Sequence, residues 1–416
     1  AQNAAAELEL ASGHPAQQIE TSQAKATLWR ALGELADRID AGGLPGRRLA
    51  QALAQVAMNR YPIPTYTALK DELRRYAQIP ADKEILLGNG SDELIAILSQ
   101  AIAKQGETVT VLAPAPSFVM YKLSGVFNHL NVVEIPLNTD DFSLDADAFI
   151  AAIEQHDPAL VYLPFPNNPT ANLFDESAMR RVIAAAGDSI VVVDEAYQPF
   201  AQTSWMSALT EFEHLLVMRT VSKLGLAGIR LGYMAGSAAL ISELDKVRPP
   251  YNVNVLTETA ATFVLRHADV LDEQAAAIRA ERAMVCAELA KLPQLRVYET
   301  AANFVLVRLN DTLSADEVFA GMKARGVLIK NMSAAHPLLL VIDVKTPRSS
   351  DIAIHVTSSS IRAELLRIVG NVDGEIRRFI AHHVAGEINS ADAKVIDIEA
   401  LIKVRIPGHG LIETTA

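Results

Sequence analysis

The side chains best suited to chemistry fall in a few short stretches. In MRTVSKLGLAGIRLGY, residues 218–233, Thr220 and Ser222 carry hydroxyls, Lys223 an amine and Arg230 a fixed cation. The small residues between them let backbone approach a ligand closely. Such a set suits a phosphate beside a nucleophilic amine; the plain alternative is two solvent-facing charges on an apolar loop. In SIVVVDEAYQPF, Asp194 closes a very apolar run and is costly to bury without a partner. Open α/β sheets place ligands at the ends of such strands, where a carboxylate can hold a cation or a protonated heterocycle nitrogen. Alternatively Asp194 or Glu195 caps the next segment.

Three further stretches end apolar runs in the same way. LLGNGSDELI passes through Gly88 and Gly90 into a helix starting at Ser91 and Asp92. Free N–H groups at a helix start bind phosphate, although Ser91 or Asp92 can also serve as a simple cap. In YLPFPNNPTAN, Pro164, Pro166 and Pro169 fix a turn that projects the amides of Asn167 and Asn168, or form only a Pro-Asn turn. PAPSFVMY puts Phe118 just past a strand end, as a ring to stack on a flat ligand or as a core aromatic.

The elements that must hold these residues alternate. Tyr66 to Tyr76 has helical apolar spacing. EILLGNG, TVTVLAPAP, ALVYLPFP, SIVVVDEAY, HLLVMRTVS and LGYMAGS are short apolar, β-branched runs with helical patterns between several of them. Runs apolar on both faces fit a mostly parallel sheet sandwiched by helices. A long helical segment is expected from about Asn254 to Leu292, and LRVYETAANFVLVRL reads as strands again. The expected fold class is α/β: a large domain with that central sheet, plus a smaller α+β domain from both chain ends. The expected boundaries are an arm and part of the small domain over 1–54, the large domain over 55–290 and the small domain over 291–416. Gly42, Gly43, Pro45 and Gly46 should interrupt any helix in the Ala-rich start.

Composition narrows the functions. The 416 residues are 50% hydrophobic and 21% charged, as in an ordinary globular protein, which excludes a disordered or fibrous chain. With 37 Lys and Arg against 49 Asp and Glu, the net charge of −12 argues against nucleic acid or an anionic membrane as main partner. Cys286 is the only cysteine, so there is no disulfide framework or Cys-rich zinc site, which fits a reducing compartment. No apolar run reaches the roughly 20 residues that span a bilayer. AQNAAAELELASGHPAQQIE lacks the pattern of a secretory signal, and a cytoplasmic location is expected. The ten His show no metal-ligand spacing, and His382-His383 reads as a solvated helix end.

Together and in this order, NRYPIPTYTALKDELRRYA, LLGNGSDELI, YLPFPNNPT, VVVDEAY, TVSKLGLAGIRLGY, AANFVLV and IKNMSAAHPLL resemble the fold-type I pyridoxal-phosphate (PLP) aminotransferases, over roughly residues 55–340. Within that group the resemblance is to the histidinol-phosphate aminotransferase family. It implies that Lys223 joins the PLP aldehyde and shuttles the substrate Cα proton. Asp194 would pair with the pyridinium nitrogen and keep the ring an electron sink. Asn168 and Tyr197 would hydrogen-bond the ring's 3′ oxygen, and Phe118 would stack on its face. Backbone at Ser91 and Asp92, with Ser222 and Arg230, would bind the cofactor phosphate. Tyr61 holds the place of the family tyrosine that reaches the neighbouring subunit's PLP, which implies a homodimer. The implied reaction is reversible amino transfer between L-histidinol phosphate and 2-oxoglutarate in histidine biosynthesis, with ping-pong kinetics and no metal.

The chain departs from that family in places. DAGGLPGRRLA replaces an Asn-Glu-Asn-Pro segment that closes over the substrate. Ala171 replaces the glycine of Asn-Pro-Thr-Gly; if φ is positive there, alanine adds strain of about 1 kcal/mol. After HPLLL, where relatives have a strand bearing a substrate-binding arginine, the chain reads VIDVKTPRSSDIAIHVTSSS; the nearest arginine, Arg348, lies in a loop-like setting and is given no role. Beyond it, IRAELLRIVGNVDGEIRRFIAHHV has helical spacing broken at Gly370, and KVIDIEALIKVRI suits a strand or short helix. These departures touch substrate recognition rather than cofactor chemistry. The alternatives are therefore a PLP-dependent decarboxylase, an aminotransferase for another aromatic or phosphorylated substrate, or a PLP-binding protein with impaired catalysis.

Overall fold

The computed structural model describes residues 45–344, apart from 311, 325–326 and 334–337. The Ala-rich start before Pro45, Arg348, His382-His383 and the patterns in the tail lie outside the described residues.

The larger sheet has seven strands in the order β1-β7-β6-β5-β4-β2-β3. These are β1 (Lys83–Gly88), β2 (Thr110–Ala115), β3 (Asn131–Pro136), β4 (Leu160–Pro164), β5 (Ile190–Asp194), β6 (Leu215–Thr220) and β7 (Gly232–Ser237). β2, β3, β4, β5 and β6 pair in parallel, while β7 runs antiparallel to both β6 and β1. Alternate side chains feed two cores, one on each face. Val191, Val193 and Val217 pack with Phe149, Met179 and Leu69 of one helical layer. Val192, Leu216 and Met218 pack with Leu94, Leu98 and Ile241 of the other. Burial on both faces is why β4, β5 and β6 carry almost nothing but apolar residues.

The smaller sheet, in the order β10-β11-β9-β8, is antiparallel throughout. It comprises β8 (Leu295–Val297), β9 (Phe304–Leu309), β10 (Lys330–Asn331) and β11 (Leu339–Asp343). One face packs on helices Ala268–Leu289 and Ala315–Ala324 through Val305, Leu340, Val285 and Val318. The other face joins the core on one side of the seven-stranded sheet through Phe304, Leu306, Leu339 and Val341.

Some local expectations change. The helical segment from Asn254 is two helices, Val255–Leu265 and Ala268–Leu289. Asn254 caps the first, its Oδ1 accepting from the N–H of Leu256 (3.0 Å) and Thr257 (2.9 Å). At the break, the His267 N–H turns back to the Val264 carbonyl at 2.9 Å. β3 was not foreseen: it is an edge strand, mostly unburied. Helix Gly46–Ala54 starts directly after Pro45 and packs against helix Val255–Leu265. No helix among the described residues is long and apolar enough to cross a membrane.

Candidate active site

The carboxyl ends of β1, β2, β4, β5 and β6 converge, and the chain leaving each one supplies a wall of one cavity. Its volume is about 150 Å³. Ser91, Asp92, Phe118, Asn168, Asp194, Tyr197, Ser222, Lys223 and Arg230 all line it. Tyr61 does not. It lies exposed on the surface, stacked on Tyr251 with ring centroids 4.7 Å apart.

Asp194, the last residue of β5, is buried at the cavity floor. One carboxylate oxygen accepts the Tyr121 hydroxyl at 2.8 Å and the other the Ala196 N–H at 3.0 Å. Burial pushes its pKa up to about 6, against the lowering effect of those two donors and Lys223. Lys223 follows β6 in a short 3-10 turn, and its Nζ lies 5.0 Å from the centre of the Tyr197 ring. Burial pulls its amine below the usual lysine range. The charges of Asp343, Asp194 and Asp92 push it back up, and Lys330 pushes it down. Tyr197 accepts a hydrogen bond from the Asn168 amide at 3.3 Å, and burial raises its phenol. Phe118 meets Tyr121 edge-on, centroids 5.7 Å apart. The neighbouring Asn167 is fully buried and holds the turn, donating to the Pro116 carbonyl at 2.9 Å and accepting from Ser117 at 2.9 Å.

One end of the cavity is built where β1 and β7 meet. Gly90, with φ +77°, opens helix Gly90–Ile102, and Arg230, itself at φ +51°, reaches Asp92 at 3.1 Å. A Cβ on Gly90 would lie 2.7 Å from Arg230 Nη2, and one on Gly232 2.5 Å from the Gly90 carbonyl carbon. Two glycines therefore bring a helix start, an arginine and the Ser222 hydroxyl to one point. Thr220 steadies this loop, its hydroxyl lying 3.0 Å from the Leu231 carbonyl and 2.9 Å from Ser222 Oγ.

Sequence reasoning missed Tyr121, because a tyrosine on an apolar helix reads as core. It also missed the influence of Lys330 and Asp343, which depends on strand register. Ala171 does adopt positive φ, +65°, and is fully buried. Among the described residues, no cluster of His, Cys, Asp and Glu is arranged to hold a metal ion.

The donor set fits PLP. An amine of lowered basicity, a buried carboxylate, a flat aromatic wall and a glycine-lined helix start with an arginine match the cofactor's aldehyde, ring nitrogen, ring face and phosphate. Solved structures share the fold. A histidinol-phosphate aminotransferase from Clostridium acetobutylicum superposes with TM-score 0.68 at 23% identity, covering 76% of this chain and 92% of that one. One from Sinorhizobium meliloti, in complex with pyridoxal-5′-phosphate, gives 0.66 at 23% identity, over 78% and 87%. Fold and site together define a fold-type I PLP-dependent enzyme. The family model for aminotransferase class I and II matches residues 33–337. Histidinol-phosphate aminotransferase 1 of Ralstonia nicotianae is 54% identical over 309 residues, 73% of this chain and 81% of the relative. Histidinol-phosphate aminotransferase 2 of Cupriavidus pinatubonensis is 53% identical over 321 residues, 76% and 86%. The chain belongs to the aminotransferase class I and II family.

Proposed function

We propose that this chain catalyses reversible amino transfer between L-histidinol phosphate and 2-oxoglutarate, giving imidazole-acetol phosphate and glutamate in histidine biosynthesis. The observation that carries the reading is that Lys223, Asp194 and Tyr197 line one cavity, with Lys223 Nζ 5.0 Å from the Tyr197 ring centre and the start of helix Gly90–Ile102 in the same lining. The names of the relatives at over 50% identity support the substrate.

Bound there, PLP supplies an electrophilic aldehyde and a protonated ring that takes up the electron pair left at the substrate Cα. Lys223 holds the aldehyde end and moves the Cα proton, a task that burial aids by making the amine less basic. Asp194 holds the proton on the ring nitrogen, and the Tyr121 and Ala196 donors keep the carboxylate aimed. Asn168 and Tyr197 hold the 3′ oxygen, and Phe118 covers a ring face. Ser91, Asp92 backbone, Ser222 and Arg230 hold the phosphate; Arg suits this because its fork pairs with two oxygens. Lys330, on the small sheet, is a cation whose field reaches Lys223, and in this reading it receives the donor's phosphate.

The same reading makes the protein a cytoplasmic homodimer, with Tyr61 reaching the neighbouring site, and divides the chain at about 54 and 290. The exposure of Tyr61, Met58 and Ile63 supports the second copy.

The test is an absorbance spectrum of the PLP-loaded protein before and after L-histidinol phosphate, without keto acid. Loss of the lysine-bound cofactor band, appearance of the amine form, and recovery on adding 2-oxoglutarate are expected. Lys223→Ala should abolish all three. A band that ignores histidinol phosphate but answers another amine sinks the substrate, and no band at all sinks the reading.

A further inference from the structure

The small sheet turns one face toward the seven-stranded sheet, where Phe304 meets the cavity-lining Tyr197. Leu339 and Val341 of β11 pack into the core shared with the large domain, while Leu340 and Ile342 turn away from it. Strand alternation therefore places Asp343 on the face that Leu339 and Val341 turn toward the seven-stranded sheet. Asp343 stands in register with Phe304. The Phe304 ring meets Tyr197 edge-on, centroids 5.0 Å apart, and Lys223 Nζ lies 5.0 Å from the Tyr197 ring centre. The field of Asp343 reaches both Lys223 and Tyr197. Every contact proposed for the cofactor comes from the large domain, and the Asp343 carboxylate is exposed beside that set. Lys330 pairs across β10 and β11 with Val341 and shares its face, one step along the strand from Asp343. This face of the small sheet thus carries one cation and one anion close together, and the fields of both reach Lys223.

We infer that Asp343 is a specificity-determining residue: its carboxylate accepts the N–H of an imidazole-bearing amino donor, while donors whose side chain ends in a carboxylate, including the glutamate of the reverse reaction, still react but bind less tightly. The inference rests on the transaminase reading. It explains how one site takes a donor carrying both a phosphate and an N–H-bearing ring, since Lys330 and Asp343 answer one each. A dicarboxylic donor satisfies only Lys330.

The test follows the donor half-reaction by absorbance, in the PLP-loaded full chain, with L-histidinol phosphate, L-histidinol and L-glutamate. In Asp343→Asn the half-saturating concentration should rise about tenfold for both imidazole donors and fall for glutamate. The loss should sit in that concentration rather than in the maximal rate. Asp343→Glu, which keeps the carboxylate, should recover much of it, and Asp343→Ser provides a second charge-free variant should the Asn form fold poorly. An unchanged half-saturation for imidazole donors overturns the inference. So does an equal loss of maximal rate with all three donors, which would make the carboxylate act on Lys223 instead. A loss confined to the phosphorylated donor overturns it as well. The wild-type response judges the transaminase reading separately: if neither imidazole donor reacts with it, that reading falls first and takes the inference with it.

Discussion

Tyr121 donates its phenolic hydrogen to Asp194 across 2.8 Å, with both groups buried. The tyrosine is itself fixed, its ring stacked on Tyr162 with centroids 4.2 Å apart and planes 11° apart. A helix on one face of the sheet thereby holds a carboxylate at the end of β5. Without such a donor, a carboxylate in this apolar floor would favour its neutral form, and a neutral acid cannot pair with a ring-nitrogen proton.

Tyr121→Phe keeps the stacking and removes only the donor. A hydrogen bond to a charged group is worth about 1.5–3 kcal/mol, so PLP should bind about 10- to 100-fold more weakly. Fluorescence titration of the cofactor-free protein with PLP measures this directly. Equal affinity in the two proteins would show that Asp194 is held without the tyrosine.

Asp194 makes the cofactor-free protein less stable above its pKa than below it. Its folded pKa of about 6 lies above the reference value of 3.8. Below about pH 4 the group is protonated folded or unfolded, and its contribution to stability is fully present. As pH rises toward 6 the folded state holds on to a proton that the unfolded state releases, and that contribution is lost. The difference of roughly 2 units corresponds to about 3 kcal/mol. Asp194→Asn should therefore melt higher than wild type at pH 8 when both lack cofactor, with the gap closing near pH 4, while its transaminase activity disappears. Calorimetry across that range decides, and a gap that does not change with pH would contradict it.

The runs that became β4, β5 and β6 were legible because burial on both faces leaves them mostly apolar, with the polar exceptions Asp194, Arg219 and Thr220 at their carboxyl ends. Their ends, with Asp194, Asn168 and Lys223, could then be placed on one edge of the sheet. β3 was not legible, since an edge strand holding Asn131 and Glu134 reads as loop. Neither was the helix break at Arg266-His267, which has no Gly or Pro to mark it. Asp343 illustrates a deeper limit. Its side depends on the antiparallel register of β9 and β11, and a shift of one residue would turn it to the opposite face of the small sheet.

Gly232 should not tolerate a methyl group. It pairs with Gly88 in the β1–β7 ladder, and its Cβ would stand 2.5 Å from the Gly90 carbonyl carbon and 2.8 Å from the Ser91 nitrogen. Both atoms belong to backbone at the start of helix Gly90–Ile102, so nothing flexible can yield. Gly232→Ala should cost about 1–3 kcal/mol in urea unfolding and weaken PLP retention in gel filtration. Gly228→Ala, in open space, is the control and should change neither. Retention of PLP at the wild-type level in Gly232→Ala would show that the helix start moves without harm.

Ala171 sits at φ +65° with no exposed surface. Its N–H donates to the Asn167 carbonyl at 2.9 Å, and its own carbonyl accepts the Ala301 N–H at 2.7 Å. This turn thus ties the Asn168 loop to the chain entering β9. Glycine here would relieve about 1–2 kcal/mol of left-handed strain. It would also lose a buried methyl worth about 0.8 kcal/mol and add freedom to the unfolded chain. Ala171→Gly should consequently stay within about 1 kcal/mol of wild type in denaturant unfolding. Ala171→Val combines a β-branched side chain at positive φ with overpacking in a closed space, and should lose about 2–4 kcal/mol. Because Asn168 lies in the same turn and donates to Tyr197 at 3.3 Å, the valine form should also shift the absorbance of bound PLP. A valine variant as stable as wild type would mean that the turn can reach a negative φ without disturbing the site.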